Sequence, residues 1–242
     1  LDRPLRRDDV VGVYAGLRPL ISGEADETAR LSREHAVAQP VPGLISIAGG
    51  KYTTYRVMAA DAIDMAVEDL GRQIGASVTD RVELIGADEW DTVKDSGPEL
   101  AARHGLPEAV VKRLLWRHGS GSAAVLALAD DQPELLEVLP GAGYIAAEAI
   151  YAVRHEGALH LEDVLARRMR ISIETIDRGI EIADRVAALI GPELGWSDSD
   201  LAGEVERWHD RVDAEVGANA TPDDETAQSV RRTAVDGRGL IE

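Results

Sequence analysis

The amino-acid sequence predicts a mainly α-helical protein with a small β-containing N-terminal part. Short apolar runs bounded by Gly and Pro occupy residues 1–52, and such runs are typical of strands. Over residues 97–217, apolar side chains recur at spacings of three and four, which is the period of amphipathic helices. A helical bundle of roughly 120 residues is the simplest architecture that gives these apolar faces a partner.

The predicted strands are short and end at turn-forming residues. One apolar run covers 10–17 and ends before an Arg-Pro pair, and 35–37 is a second candidate. The clearest strand is 44–48, which is followed directly by Gly49 and Gly50. Gly and Pro favour turns because Gly tolerates positive φ and Pro fixes φ near the value that many turns need.

The hydrophobic period becomes helical at Thr53. The acidic residues of the next segment fall on one narrow stripe, so we predict a mostly buried helix that ends at Gly71. Residues 72–95 form a predicted connector, with a short strand at 82–85. The chain therefore passes from a β-containing part to a helical part through this connector.

The region after the connector contains the predicted bundle. Gly-Pro and Leu-Pro pairs mark two early helix starts, because Pro is tolerated in a first helical turn. Further helices are predicted at about 121–130, 133–139, 143–156, 161–169, 174–190 and 198–216. The last one carries an apolar stripe of Leu201, Val205, Trp208, Val212 and Val216.

We divide the chain into four regions on this basis. Residues 1–75 are the C-terminal piece of a larger domain, 76–96 a connector, 97–217 a helical C-terminal domain and 218–242 a tail. The tail has few large apolar side chains and no period, so we predict that it is disordered. Leu1 is not Met, no signal-peptide pattern follows it, and the first residues read as mid-chain sequence. We therefore expect a fragment of a longer protein.

Composition and charge exclude several classes of function. The chain has 44 Asp and Glu against 26 Lys and Arg, and its net charge of −18 repels nucleic-acid phosphate and anionic lipid. It has no Cys, which excludes disulfides, thiolate metal sites and a cysteine nucleophile. No apolar run approaches the roughly 18 residues of a membrane-spanning helix. Residues 1–60 carry 8 basic and 7 acidic side chains, so an anionic ligand is expected in this first quarter of the chain.

A basic, glycine-rich cluster in the first 56 residues is suited to binding an anionic ligand. The segment GGKYTTYR joins a strand to a helix, so free N–H groups and the positive end of the helix dipole face one point. Lys51 lies in this turn and is one of three lysines in the chain, and Arg18 offers a fork suited to phosphate. The alternative is structural: the glycines only permit a tight turn, and Arg18 and Arg33 pair with nearby acidic residues.

Four segments carry a specific combination of motifs: AGLRPL at 15–20, LSREHAV at 31–37, GLISIAGGKYTTYRVMA at 43–59 and EGALHLEDVLARRMRISIE at 156–174. The first three closely resemble the C-terminal half of FAD-dependent glycerol-3-phosphate dehydrogenases, the respiratory type that passes electrons to quinone. The fourth resembles the helical C-terminal domain of bacterial members. The resemblance covers roughly residues 4–210 and implies the end of an FAD-binding and substrate-cap α+β domain, followed by a helical bundle.

The resemblance implies that the complete enzyme oxidises sn-glycerol 3-phosphate to dihydroxyacetone phosphate by hydride transfer to FAD, with quinone as electron acceptor. The strand, GxGxxG and helix that begin the family's Rossmann-like half are absent from this sequence. We therefore expect this chain alone to be incomplete and inactive. The resemblance also implies peripheral contact of the full-length enzyme with the cytoplasmic membrane, on its cytoplasmic side, and leaves a homo-oligomer open.

The resemblance assigns site residues position by position. Arg18 matches the family's substrate-phosphate arginine, Lys51 matches the lysine beside substrate and flavin, and Arg33 matches a second active-site arginine. The turn that faces the isoalloxazine is matched by Gly49, Gly50, Lys51, Thr53 and Thr54. The family's histidine proton acceptor lies in the part that this sequence does not match, and His35 stands where relatives vary, so no catalytic base is nominated. No metal site is expected.

Two alternatives remain open. The chain can be a non-catalytic helical docking or oligomerisation fragment, because residues 97–216 contain no catalytic cluster. It can also belong to a flavoenzyme of the same fold that acts on another small hydroxy or amino acid, because a carboxylate also pairs with Arg.

Overall fold

The computed structural model describes residues 3–6, 9–10 and 35–234. The chain divides into two compact units, Ala15–Leu84 and a second one formed by Leu1–Tyr14 with Ile85–Glu242. We call the described part of the first, residues 35–84, the hairpin unit, and the described part of the second the helical unit. The fold is mostly helical with a small two-stranded sheet, which confirms the predicted fold class.

The hairpin unit begins with two antiparallel strands, β1 (His35–Val41) and β2 (Leu44–Gly49). His35 lies opposite Gly49 in this register, and the pairing is irregular between Ala38 and Val41. Pro40 lies in the irregular stretch, where its lack of an N–H removes a ladder hydrogen bond. The predicted strands at 35–37 and 44–48 are therefore confirmed, while the predicted strand at 10–17 lies almost entirely outside the described residues.

Helix α1 (Tyr55–Asp69) follows β2 through a 3-10 turn, Tyr52–Thr54. It ends near the predicted Gly71, whose φ of +62° and N–H bonded to the carbonyl of Glu68 terminate the helix. The prediction that this helix is mostly buried is wrong, because none of its residues is buried. Within residues 35–84 the helix contacts only a two-stranded hairpin and two short 3-10 turns, which are too small to cover it, and Val57 and Ile63 are exposed.

The connector between residues 72 and 95 contains a 3-10 turn, Thr79–Arg81, and helix α2 (Trp90–Val93). The short strand predicted at 82–85 is absent from it. Leu84 and Ile85 are exposed, and an apolar run forms a strand only where another strand supplies hydrogen bonds along its edge.

The helical unit contains the remaining helices: α3 (Gly97–His104), α4 (Glu108–His118), α5 (Ser122–Ala127), α6 (Ala146–Glu156), α7 (Ile171–Glu174), α8 (Ile180–Leu194), α9 (Asp198–Asn219) and α10 (Asp224–Arg231). Helix α6 packs on α8, α8 on α9, and α3 on α4. The core includes Val111, Leu114, Ile145, Leu165, Ile190 and Trp208. Burial of these side chains stabilises the bundle by about 1.5–3 kcal/mol each.

Four segments of the helical unit differ from the sequence prediction. The helix predicted at 133–139 is only a 3-10 turn, Pro133–Leu136. The helix predicted at 161–169 contains a π-helical turn, Asp163–Arg168. The helix predicted at 174–190 begins only at Ile180, because Gly179 with a φ of +82° precedes it. The segment 218–242, predicted to be disordered, contains α10, whose N-terminus is capped by the Asp223 carboxylate accepting from the N–H of Thr226 at 2.8 Å.

The apolar stripe of α9 is confirmed in its central part. Val205, Trp208 and Val212 are buried, while Val216 is 50% exposed. Ser197 caps this helix, because its hydroxyl accepts from the N–H of Asp200 and the Asp200 carboxylate accepts from the N–H of Ser197. Among the described residues, no helix is both long enough and apolar enough to span a lipid bilayer.

Candidate functional site

The candidate site is the turn that joins β2 to α1 in the hairpin unit. Gly49 and Gly50 both have a φ of +76°, a conformation that residues with a Cβ rarely adopt. A Cβ on Gly50 would lie 2.8 Å from Cε of Met58 and closer still to its Sδ. The backbone conformation therefore favours glycine at position 50, and a larger residue there would also displace the end of the Met58 side chain.

The backbone of Lys51 is held by Thr54. The N–H of Lys51 donates to Oγ1 of Thr54 at 3.1 Å, and the Thr54 hydroxyl donates to the carbonyl of Lys51 at 3.0 Å. The N–H of Thr54 donates to the same carbonyl at 3.0 Å. These three bonds close the turn and fix where the Lys51 side chain leaves the backbone.

The turn presents hydrogen-bond donors and a cation at the same place. The N–H groups of Tyr52 and Thr53 begin the 3-10 turn, and neither has an acceptor among residues 35–84. Lys51 is exposed and makes no ion pair within this part of the chain. Exposed N–H groups at a helix start carry partial positive charge. The turn is therefore suited to an anionic group or to the polar edge of a flat ring.

The aromatic and basic side chains after Lys51 have different surroundings. The rings of Tyr52 and Tyr55 stack with centroids 6.1 Å apart, and Tyr52 is 92% exposed. Arg56 donates to the carbonyl of Thr79. The guanidinium group of Arg56 therefore attaches the connector to α1.

Two side-chain hydrogen bonds join β1 to α1, and the sequence analysis did not anticipate either. Nε2 of His35 lies 2.6 Å from Oδ2 of Asp61, close to the turn. Gln39 donates to the carboxylate of Asp69 at the other end of the helix. The residues of each pair are far apart in sequence, so no local spacing indicates them.

The other two predicted substrate residues, Arg18 and Arg33, lie outside the described residues. The structure therefore brings together Gly49, Gly50, Lys51, Thr53 and Thr54, all in one turn. No group of three His, Asp or Glu side chains in residues 3–6, 9–10 and 35–234 is arranged to hold a metal ion.

The helical unit contains a buried charge cluster around Glu148, whose side chain is 1% exposed. The carboxylate accepts from Nη1 of Arg113 at 3.2 Å and from the N–H of Ile145 at 3.0 Å, and Nε2 of His118 lies 3.2 Å away. Burial raises the pKa of Glu148, but the bonds from His118 and Arg113 outweigh it, so the pKa lies below its usual value. The cluster ties α4 to the start of α6 and is structural.

A family model and several known proteins match this chain. The family model described as the C-terminal domain of alpha-glycerophosphate oxidase matches residues 77–201. Glycerol-3-phosphate dehydrogenase 2 of Mycobacterium tuberculosis is 50% identical over 242 residues, which is 100% of this chain and 41% of the relative. The glycerol-3-phosphate dehydrogenase of Mycobacterium leprae is 51% identical over the same shares of both chains. This chain thus spans about two fifths of the length of these curated relatives.

The fold also resembles that of a solved enzyme. The glycerol-3-phosphate dehydrogenase of Bacillus halodurans, complexed with FAD, aligns with a TM-score of 0.57 and 22% identity over 83% of this chain and 37% of that chain. At this identity the likeness extends to the fold only.

Proposed function

Because the chain belongs to the family of C-terminal domains of alpha-glycerophosphate oxidase, we propose that it is the C-terminal part of a longer flavoenzyme that oxidises sn-glycerol 3-phosphate to dihydroxyacetone phosphate. The observation that carries this proposal is the turn after β2, where an exposed Lys51 lies beside the N–H groups of Tyr52 and Thr53, which have no acceptor among residues 35–84. The identity of about one half to glycerol-3-phosphate dehydrogenases over the whole chain supports the choice of substrate.

The residues of the turn fit the cofactor that this function needs. When bound, FAD would supply the redox chemistry, as the hydride acceptor. Gly49 and Gly50 would leave room for its flat ring, because they carry no side chain. The N–H groups at the start of the 3-10 turn would be the donors available to its polar edge. The hydroxyl of Thr54 already bonds the backbone of Lys51, so Thr54 contributes by fixing that residue.

Lys51 orients the substrate by charge. An ammonium group on a fixed backbone position attracts the phosphate and holds the carbinol hydrogen in one orientation. Arg18 and Arg33 supply the bidentate contacts that phosphate favours. The proton acceptor lies outside this chain.

The domain organisation and the partners of the full-length enzyme follow from the same function. Residues 1–75 complete the FAD-binding and substrate domain, 76–96 connect it to the helical domain at 97–217, and 218–242 form the tail. Quinone would be the electron acceptor of the full-length enzyme, which would associate peripherally with the cytoplasmic face of the membrane. The helical unit has no catalytic role in this proposal, because its buried charges, such as Glu148 with Arg113, bond one another.

Arg18→Ala in the full-length protein tests phosphate recognition. We expect kcat/KM for glycerol 3-phosphate to fall about a hundredfold, because a charge-assisted bidentate contact is lost. The ratio of rates with glycerol 3-phosphate and with glycerol should fall by a similar factor. Arg103→Ala is the control, because Arg103 is an exposed residue that pairs with Glu99 in α3. An unchanged ratio in Arg18→Ala would show that Arg18 does not bind the phosphate.

A further inference from the structure

The pair formed by His35 and Asp61 lies next to the candidate site. His35 is the first residue of β1 and lies opposite Gly49 in the hairpin register. Its Nε2 lies 2.6 Å from Oδ2 of Asp61 on α1, and the His35 side chain is 20% exposed. The pair therefore joins β1 to α1, while the turn itself joins β2 to α1.

A continuous set of contacts leads from this pair to Lys51. A Cβ on Gly50 would lie 3.3 Å from Cβ of His35, so the histidine packs against the turn itself. Met58 packs on Gly50, and its Sδ lies 3.6 Å from Oγ1 of Thr54. Thr54 in turn holds the backbone of Lys51. His35, Met58, Thr54 and Lys51 are thus linked through contacts with the turn.

We propose that the His35–Asp61 pair is a positioning element that holds the Gly49–Thr54 turn, and with it Lys51 and the exposed N–H groups, in the geometry required for substrate. This inference rests on the proposed function for its kinetic consequence. Nε2 of His35 is occupied by Asp61, so the histidine acts through the turn and is not assigned a proton-transfer role. The hydrogen bond orders two elements that pack loosely, since no residue of α1 is buried.

The hairpin unit contains its own control. The bond from Gln39 to Asp69 joins the same strand to the same helix, but at the C-terminal end of α1, away from the turn. Removing either bond weakens the attachment of β1 to α1. Only removal of the His35–Asp61 bond should disturb the turn.

The test uses the full-length protein with His35→Ala, Asp61→Ala, His35→Gln, Gln39→Ala and Asp69→Ala. We expect KM for glycerol 3-phosphate to rise about tenfold in His35→Ala and in Asp61→Ala, with a smaller change in kcat. The double variant should be no worse than either single one, because both remove the same bond. His35→Gln keeps a side-chain N–H able to reach Asp61 and should restore most of the effect.

Hydrogen exchange of a peptide covering residues 49–56 gives a second readout that needs no activity. Exchange should be faster in His35→Ala and Asp61→Ala, and unchanged in Gln39→Ala and Asp69→Ala. If His35→Ala and Gln39→Ala alter KM and exchange equally, or if neither alters them, the inference is wrong. If the wild type is not reduced by glycerol 3-phosphate, the proposed function fails, while the exchange data still decide whether the pair holds the turn.

Discussion

Lys51→Ala in the full-length protein should lower kcat/KM for glycerol 3-phosphate by about two to three orders of magnitude. Removing a fixed charge that stabilises a reacting group typically costs this much. Lys51 is exposed and makes no ion pair within the hairpin unit, so the melting temperature should stay at the wild-type value. The loss of kcat/KM should therefore come from weaker catalysis and substrate binding, and not from unfolding.

Two controls separate the role of Lys51 from a general effect of charge. Lys94→Ala removes a lysine that pairs with Asp91 on the surface of the helical unit, and its kinetics should match the wild type. Lys51→Arg keeps the positive charge but changes its shape and hydration, so we expect partial activity. A Lys51→Ala enzyme within about threefold of wild-type kcat/KM would contradict the proposed role.

Glu148→Ala should destabilise the helical unit by about 3 kcal/mol, the order observed when one partner of a buried ion pair is removed. Arg113 loses its carboxylate, and the N–H of Ile145 at the start of α6 loses its acceptor. Chemical denaturation followed by circular dichroism measures this loss. Glu193→Ala is the matched control, because Glu193 pairs with Arg154 at a more exposed position, where an ion pair contributes about 1 kcal/mol or less.

The pH dependence gives an independent check on the same residue. The pKa of Glu148 is lower in the folded protein than in the unfolded chain, where it is about 4.3. Its stabilising contribution is therefore fully present above that value and is lost as the pH falls through the folded pKa. The stability difference between wild type and Glu148→Ala should shrink in that acidic range. A difference that stays constant there, or a Glu148→Ala protein as stable as Glu193→Ala, would show that the cluster does not stabilise the fold.

Local features of the hairpin unit could be predicted from sequence because they depend on neighbouring residues. Gly49 and Gly50 marked a strand-to-helix turn, and both have the positive φ that makes glycine necessary there. The cap of α10 in the helical unit also depends on neighbouring residues only. That segment has few apolar residues, so it was predicted to be disordered although Asp223 is a typical N-cap residue.

Features that depend on distant residues could not be predicted in this way. The apolar character of α1 indicated burial, yet burial requires a large partner surface, and within residues 35–84 the helix contacts a small hairpin and two short turns. The bond between His35 and Asp61 depends on how β1 and α1 pack, which no residue spacing encodes. The roles of Arg18, Arg33 and Lys51 stay predictions, since they depend on a bound substrate.

The central claim is that this chain contributes the substrate-binding side of a flavoenzyme acting on glycerol 3-phosphate. The most direct test is the visible absorbance of the full-length protein before and after anaerobic addition of glycerol 3-phosphate, with glycerol as the control. We predict a bound flavin whose absorbance bleaches with glycerol 3-phosphate and not with glycerol. A flavin that stays oxidised would contradict the substrate, and a protein that binds no flavin would contradict the claim as a whole.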